Sequence, residues 1–418
     1  MNPKSYTDFS TGIHQHYFGK RAPTEAAIEV TRRCPLACLH CYNNLPMADI
    51  EARNRELTCE EHKRLLDELA EIGCLWLLFT GGEIFARKDF LEIYTHAKKK
   101  GFLITLFTNG ILISEKIADY LAEWRPFAIE ITLYGRTRET YEALTAIPGS
   151  YDRCLRGIQH LIERKLPLKL KTVPTSINKH EVFAIRDFAA NLGVDFKFDP
   201  MINPRVDCSL SPLAVRLRPE EAVALDMHDA KRASEWKNLL QRDLAAPAAN
   251  IENNDEVYFC GGGMNSFAIN AYGGMSICVI SQRELYDWRS GTVRDGWEGF
   301  LLKVRTRKQT RLTKCKHCRI QSLCSMCPAN GELENGDAES PVDFLCQTAH
   351  LRAMSLGFEV PEHGTCECCK GGRYHEELLA SAVRIREKQI DVGTWTAAED
   401  PFHILKEGSE AGCSCNRT

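Results

Sequence analysis

Between residues 26 and 200 the chain alternates short apolar runs with amphipathic stretches. Short apolar runs occur at Ala26–Thr31, Leu75–Thr80, Leu103–Thr108, Phe127–Leu133, Leu168–Val173 and Val194–Phe198. Between them lie longer stretches with apolar residues three and four apart: Cys59–Glu71, Phe90–Lys100, Ser114–Trp124, Tyr151–Lys165 and Lys179–Leu192. The apolar runs predict strands and the stretches between them amphipathic helices, so the pattern is one of parallel βα units in an α/β fold. Helix punctuation agrees: Thr58 stands three residues before Glu61, and Gly73, Gly101 and Gly193 follow three of the helices. A sixth helix is expected within Pro219–Leu240.

The pattern then breaks. Ala245–Asp255 is rich in Ala, Asn and acidic residues and reads as a linker. From Cys260 to Cys346 the apolar periodicity fades into cysteines, glycines and short segments, which need an inserted metal to fold compactly. The remainder carries one helical stretch, Glu376–Gln389, and further cysteines. The expected organisation is an N-terminal segment (1–24), a βα domain (25–244), a linker (245–259), a cysteine-rich domain (260–350) and a C-terminal tail (351–418). No repeat at a solenoid period is present.

Composition changes this picture in one respect. The chain has 418 residues, 26% of them charged, and a formal net charge of −3. This gives no broad basic field for nucleic acid, and no apolar run is long enough to span a bilayer. Met1–Lys20 lacks an apolar signal segment, so a cytoplasmic location is expected. The anomaly is 19 cysteines in a long chain without a secretion signal, where metal or cluster ligation explains them better than disulfides.

Cys34, Cys38 and Cys41 lie in Cys-Pro-Leu-Ala-Cys-Leu-His-Cys, directly after the first strand. Three thiolates on one loop can hold three irons of a cubane cluster and leave the fourth iron open. With His40 as a fourth ligand the same loop would suit zinc. Cys-x3-Cys-x2-Cys at this position resembles the defining motif of the radical SAM superfamily. Gly81-Gly82-Glu83 after the second strand is similar to that family's GGE segment, and Thr108-Asn109-Gly110 follows the third strand, a common position for residues lining its cofactor site. Each of these two segments alone reads as an ordinary turn.

The resemblance covers about Ala26–Pro200 and implies a partial (βα)6 radical SAM barrel with its site at the C-terminal strand ends. It further implies a [4Fe–4S] cluster on Cys34, Cys38 and Cys41, with S-adenosylmethionine (SAM) chelating the open iron. Gly81, Gly82, Glu83, Asn109 and Thr132 would hold SAM, with Glu83 on the methionyl ammonium. Reductive cleavage would then give a 5′-deoxyadenosyl radical that abstracts hydrogen from a substrate. Tyr134, Gly135, Lys171 and Thr175 read either as further ribose and carboxylate contacts or as ordinary barrel-mouth polar residues.

A second constellation runs Cys260-x12-Gly273-x4-Cys278, then Cys315-x2-Cys318, Cys324, Cys327 and Cys346. It resembles the SPASM domain, the auxiliary-cluster domain that follows some radical SAM barrels. By that resemblance Cys315, Cys318, Cys324 and Cys346 form one four-thiolate site, and Cys260, Cys278 and Cys327 hold another. The second would lack a fourth ligand, for which Asp255, Glu256, Cys208, a substrate group or water are candidates. The family has three residues between its fifth and sixth cysteines, whereas Cys324-Ser-Met-Cys327 has two. On its own, Cys315–Cys327 is zinc-ribbon spacing. The sulfatase-maturing branch places an acid after the cysteine of the Gly-x4-Cys segment; here that position is Val279, which argues against its chemistry.

Cys366, Cys368, Cys369, Cys413 and Cys415 lie outside both motifs, as ligands for another metal, a completion of an auxiliary cluster, a redox pair or incidental residues. Cys59, Cys74 and Cys154 read as small core residues. The leading expectation is an enzyme acting on a peptide or small protein, served by a reductant such as a flavodoxin or ferredoxin. The alternatives are a radical SAM enzyme acting on a tetrapyrrole or other cofactor precursor, and a non-catalytic zinc- or cluster-binding protein.

Overall fold

The computed structural model describes residues 5–245 and 255–393. Six parallel strands arise where the short apolar runs predicted them: β1 (Glu25–Thr31), β2 (Trp76–Gly81), β3 (Leu103–Thr108), β4 (Ala128–Thr132), β5 (Leu168–Thr172) and β6 (Asp195–Phe198). They pair in sequence order, each with the next, as βα connections dictate. The crossovers carry α1 (Cys59–Glu71), α2 (Phe90–Lys99), α3 (Glu115–Glu123), α4 (Ser150–Glu163) and α5 (Val182–Asn191). This is a mixed α/β fold with a partial barrel.

The core lies between the strands and this outer ring. Leu65, Leu66 and Leu69 of α1 meet Leu77 and Phe79 of β2, and Phe90, Ile93 and Tyr94 of α2, all almost fully buried. Each such side chain contributes about 1.5–3 kcal/mol relative to exposure. Thr58 and Glu61 close a complete capping box at the start of α1. Cys74 and Cys154 sit in this core, and Cys59 is half-buried against it.

The single helix expected within Pro219–Leu240 is two helices, α6 (Pro219–His228) and α7 (Ala230–Ala245). Asp229 takes extended backbone between them, and its carboxylate accepts from the Arg232 N–H at 3.0 Å, capping the second helix.

After residue 255 the chain returns to the same sheet. β7 (Ser266–Ile269) pairs in parallel with the free edge of β1, and β8 (Gly274–Ser276) and β9 (Tyr286–Asp287) extend it antiparallel. The order across the sheet is therefore β9-β8-β7-β1-β2-β3-β4-β5-β6. The cysteine-rich region is also fastened to α1, where the Glu68 carboxylate accepts from the Trp288 indole N–H at 2.9 Å and the Val293 N–H at 2.8 Å.

Two further helices close the structure. α8 (Asp343–Ser355) and α9 (His375–Arg386) pack on α6 around a second apolar cluster that includes Leu225, Leu345, Leu378 and Ile385. The buried Asp226 of α6 links these parts, accepting from Arg352 of α8 at 2.9 Å and from Arg232 of α7 at 2.6 Å. Among the described residues no helix is long and apolar enough to cross a membrane. Most of the linker expected at Ala245–Asp255, and Cys413 and Cys415, lie outside the described residues.

Candidate functional site

The cysteine loop leaves β1 at its C-terminal end and is braced at both ends. At its start, Arg33 donates to both oxygens of Glu56, at 2.9 and 3.0 Å, in a buried bidentate pair. At its far end, Arg205 donates to the Cys41 carbonyl at 3.3 Å, the Asn44 side-chain oxygen at 2.9 Å and the Asn44 carbonyl at 2.8 Å. The Asn43 amide donates to buried Glu29 at 2.6 Å. These braces fix where the three thiols stand. Sequence reasoning did not single out Arg33, Asn43 or Arg205, since isolated polar residues carry no spacing signal.

Gly81 and Gly82 press against this loop. The Gly82 N–H donates to the Thr31 carbonyl at 2.7 Å and the Glu83 N–H to the Arg33 carbonyl at 3.1 Å. A Cβ on Gly81 would stand 2.1 Å from the Thr31 oxygen, and one on Gly82 2.4 Å from the Arg32 oxygen. Gly81 also has φ +130°, so glycine is required here by both backbone conformation and close approach. The buried Glu83 carboxylate accepts from the Thr108 hydroxyl and from the backbone N–H groups of Asn109 and Phe85. It thus ties the end of β2 to the end of β3, one layer behind the cavity wall. Asn109 in turn directs its side-chain N–H to the Cys34 sulfur at 3.4 Å.

Cys34, Cys38 and Cys41 line a cavity of about 350 Å³ together with Gly81, Gly82, Asn109, Thr132, Tyr134 and Lys171. Burial pushes the Cys34 thiol up to about 12, with Glu83 adding to the shift. Burial and then the neighbouring Cys41 and Cys34 push Cys38 well up. Burial also raises Cys41, against the N–H groups of Asn43 and Asn44, which favour its thiolate. Three crowded, buried thiols therefore ionise together only around compensating positive charge, which the irons of a cluster supply. His40 also faces this cavity. Burial holds its imidazole down to about 4, and its Nδ1 finds no hydrogen-bond partner among the described residues.

Of the other barrel-mouth residues, Lys171 donates to Glu130 at 3.3 Å and lies 2.9 Å over the Phe107 ring. Lys197 donates to the same carboxylate at 3.0 Å. Burial draws the Lys171 ammonium down to about 8. Thr175 is turned away and shares a buried turn with Asn178. At Gly135 a Cβ would stand 2.7 Å from the Tyr141 nitrogen.

The second constellation separates into two groups. Cys260, Cys278 and Cys327 are close enough that each of Cys278 and Cys327 is raised by burial and then by its cysteine neighbours. Asp255 and Glu256 are engaged with Lys308 and Arg305, and the Cys208 thiol faces the Glu332 carbonyl at 3.8 Å. Cys315, Cys318, Cys324 and Cys346 line a cavity of about 220 Å³ together with His350 and His363. The two residues after Cys278, Val279 and Ile280, form part of the wall of the cavity at the first cysteine loop. Cys260, Cys278 and Val279 also line the barrel interior, a space of about 630 Å³ bordered by Leu78, Phe107 and Glu130. Of the cysteines outside both motifs, Cys366, Cys368 and Cys369 are buried, at 6%, 1% and 5% exposed.

Comparison with known proteins gives these features a context. Residues 28–189 match the radical SAM superfamily. The chain is 36% identical over 174 residues to an Fe-coproporphyrin III synthase of Methanosarcina barkeri, covering 42% of this chain and 43% of that protein. It is 25% identical over 342 residues to an AdoMet-dependent heme synthase of the same organism, covering 76% of this chain and 94% of the relative. A PqqA peptide cyclase of Bradyrhizobium diazoefficiens is 31% identical over 173 residues, covering 41% of this chain and 45% of the cyclase. The chain thus spans less than half the length of the first and third of these relatives.

In fold, the chain is similar to Streptococcus suis SuiB bound to the precursor peptide SuiA. The TM-score is 0.57 at 17% identity, over 79% of this chain and 78% of that one. The domain match implies a [4Fe–4S] cluster and SAM, and the buried thiols of the first loop suit the former. With the cysteine loop after its first strand and the glycine-packed second loop, residues 28–189 of this chain form a radical SAM domain, and a cysteine-rich region follows it.

Proposed function

We propose that the protein modifies a peptide or small protein, removing two hydrogens from it at the barrel mouth. When bound, the cluster and SAM supply one-electron cleavage chemistry and a hydrogen-abstracting group. The protein's own residues do the rest. Cys34, Cys38 and Cys41 hold the cluster, with Arg33 and Arg205 fixing their loop. Gly81, Gly82, Asn109 and Thr132 shape the SAM pocket, and Glu83 holds the second and third strand ends in register behind it. The substrate would give up one hydrogen atom to the SAM-derived group. A proton would then leave to solvent and the remaining electron would pass to an iron–sulfur cluster held by Cys260, Cys278 and Cys327, so that a crosslink can form. A small flavodoxin- or ferredoxin-like protein would supply the initiating electron.

One observation carries this reading. Val279 and Ile280 form part of the wall of the first cavity while Cys278 beside them joins the second thiol group. This adjacency of the first cysteine loop's cavity and the second thiol group supports an oxidative outcome, in which hydrogen abstraction is followed by electron transfer. A second reading, a tetrapyrrole precursor as substrate, is favoured by the relatives named heme synthases, which align over most of their length.

The test is an anaerobic incubation of reduced protein and SAM with short peptides encoded beside its gene, and separately with an iron porphyrin precursor. Loss of two hydrogens from a peptide by mass spectrometry supports the proposal. Release of 5′-deoxyadenosine that depends on the porphyrin, with its conversion and no change in any peptide, assigns the second reading instead. Neither substrate stimulating SAM cleavage would refute both readings of the substrate.

A further inference from the structure

Cys346 and His350 stand one turn apart on α8. After that helix the chain turns at Gly357, passes His363, and runs through Cys366-Glu-Cys368-Cys369 before entering α9. His350, His363, Cys366 and Cys369 converge there, and each offers a ligand atom within 4.8 Å of the other three. All four are at least nine-tenths buried. The Cys369 sulfur lies 3.4 Å from His363 Nδ1 and 3.6 Å from His350 Nε2, and the Cys366 sulfur lies 3.8 Å from His350 Nε2.

These separations fit a single ion. A tetrahedron built on Zn–S of about 2.3 Å and Zn–N of about 2.0–2.1 Å has edges of about 3.3–3.8 Å. A two-iron cluster would need its thiol and imidazole pairs on separate irons, whereas here both kinds of ligand interleave within one ion's reach. The set holds two thiols, two imidazoles and no carboxylate, which selects a borderline-soft metal over calcium, magnesium or manganese. The ligand nitrogen of His350 is also oriented: Nδ1 faces the Cys346 carbonyl at 2.9 Å, leaving Nε2 for the metal.

We propose that His350, His363, Cys366 and Cys369 bind a structural zinc ion. Cys346 belongs to an overlapping group with His350, Cys366 and Cys368. Assigning Cys346 to the four-thiolate set with Cys315, Cys318 and Cys324, which rests on the SPASM reading, leaves the His2Cys2 set complete. The zinc clasps residues 357–374, a segment that buries cysteines where a core would bury leucines, onto α8. It thereby roofs the cavity of the neighbouring thiols, to which His350 and His363 also contribute.

The test is metal analysis of the full chain, produced with both iron and zinc and purified anaerobically. About one zinc per chain is expected beside the cluster iron. Cys369→Ala and His363→Ala should each lower zinc at least tenfold with iron unchanged. Cys315→Ala combined with Cys318→Ala should lower iron and keep the zinc, so failure of the cluster assignment and failure of the zinc site read out separately.

Three results would overturn the site: no zinc in the unmodified protein, iron lost in place of zinc from Cys369→Ala, or zinc lost from Cys368→Ala but retained in Cys369→Ala. If the variants do not accumulate, X-ray absorption at the zinc edge of the unmodified protein decides. Two sulfur and two nitrogen ligands support the proposal, and four sulfurs refute it.

Discussion

Thr108 donates its hydroxyl across both carboxylate oxygens of Glu83, at 2.7 and 2.9 Å, while the next residue, Asn109, donates its backbone N–H to the same group at 2.8 Å. The acid of the Gly-Gly-Glu segment is therefore the joint between two strand ends, and through Asn109 it reaches the Cys34 sulfur. Glu83→Ala would leave buried donors without an acceptor, at about 1–3 kcal/mol for each unsatisfied group. A loss of roughly 2–4 kcal/mol in anaerobic denaturant unfolding is expected, with a smaller loss for Glu83→Gln, which keeps one acceptor oxygen. A Glu83→Ala protein as stable as the parent would show that the joint carries no load.

Lys171 gives a pH signature. Its ammonium titrates at about 8 because it is buried. Below that pH it can attract the carboxylate of a ligand in the adjoining cavity, and as pH rises through about 8 the charge is lost. SAM affinity is therefore expected to fall above pH 8, by at most about tenfold per pH unit. Lys171→Gln should bind more weakly at pH 7 and lose the dependence. Calorimetric titration at pH 7, 8 and 9 checks this, and an equal slope in the variant would dissociate Lys171 from the ligand.

The triad makes the plainest prediction. Replacing Cys34, Cys38 and Cys41 together by alanine should remove about four irons per chain and abolish reductive SAM cleavage. Normal 5′-deoxyadenosine release from that variant would refute the assignment of the first loop.

Much of this architecture was legible from periodicity and spacing alone. The strands β1 to β6 fall within a residue or so of their apolar runs because parallel strands with buried faces must be near-continuously apolar. The strands β7, β8 and β9 were not foreseen, since four, three and two residues are too short for any period to register. The same holds for the clustering of His350 and His363 with Cys366 and Cys369, which depends on how α8 and the following loop meet. The place of Val279 and Ile280 in the wall of the first cavity was equally hidden, as two aliphatic residues announce nothing without their surroundings.

Arg205 belongs with these hidden residues and offers a test of them. It binds no cofactor in this reading but clamps Cys41 and Asn44. Loss of such supporting contacts typically costs about 10–100-fold in metal affinity or activity. Arg205→Ala should therefore take up iron on reconstitution and lose it faster to a chelator, with the thermal midpoint little changed. Iron retention equal to the parent's would remove the clamp from the account.

Asp226 is expected to behave differently. Its carboxylate is fully buried between two arginines, so Asp226→Ala strands Arg352 in the interior, with a cost of about 3–5 kcal/mol. Because Arg352 lies on α8, the variant should loosen the C-terminal helices before the barrel. Hydrogen exchange would detect this as early labelling of Asp343–Ser355, and uniform labelling of the whole chain would argue against it.

The pairing of β7 with β1 has a consequence for how the chain is made. The first strand leaves the ribosome with one flank bare, and the segment that covers it follows more than two hundred residues later. At roughly 5–20 residues per second, that flank stays open for on the order of ten seconds or more. Throughout that interval its bare amides and carbonyls offer a template for another nascent chain. Synthesis of this protein should thus depend on holdase protection.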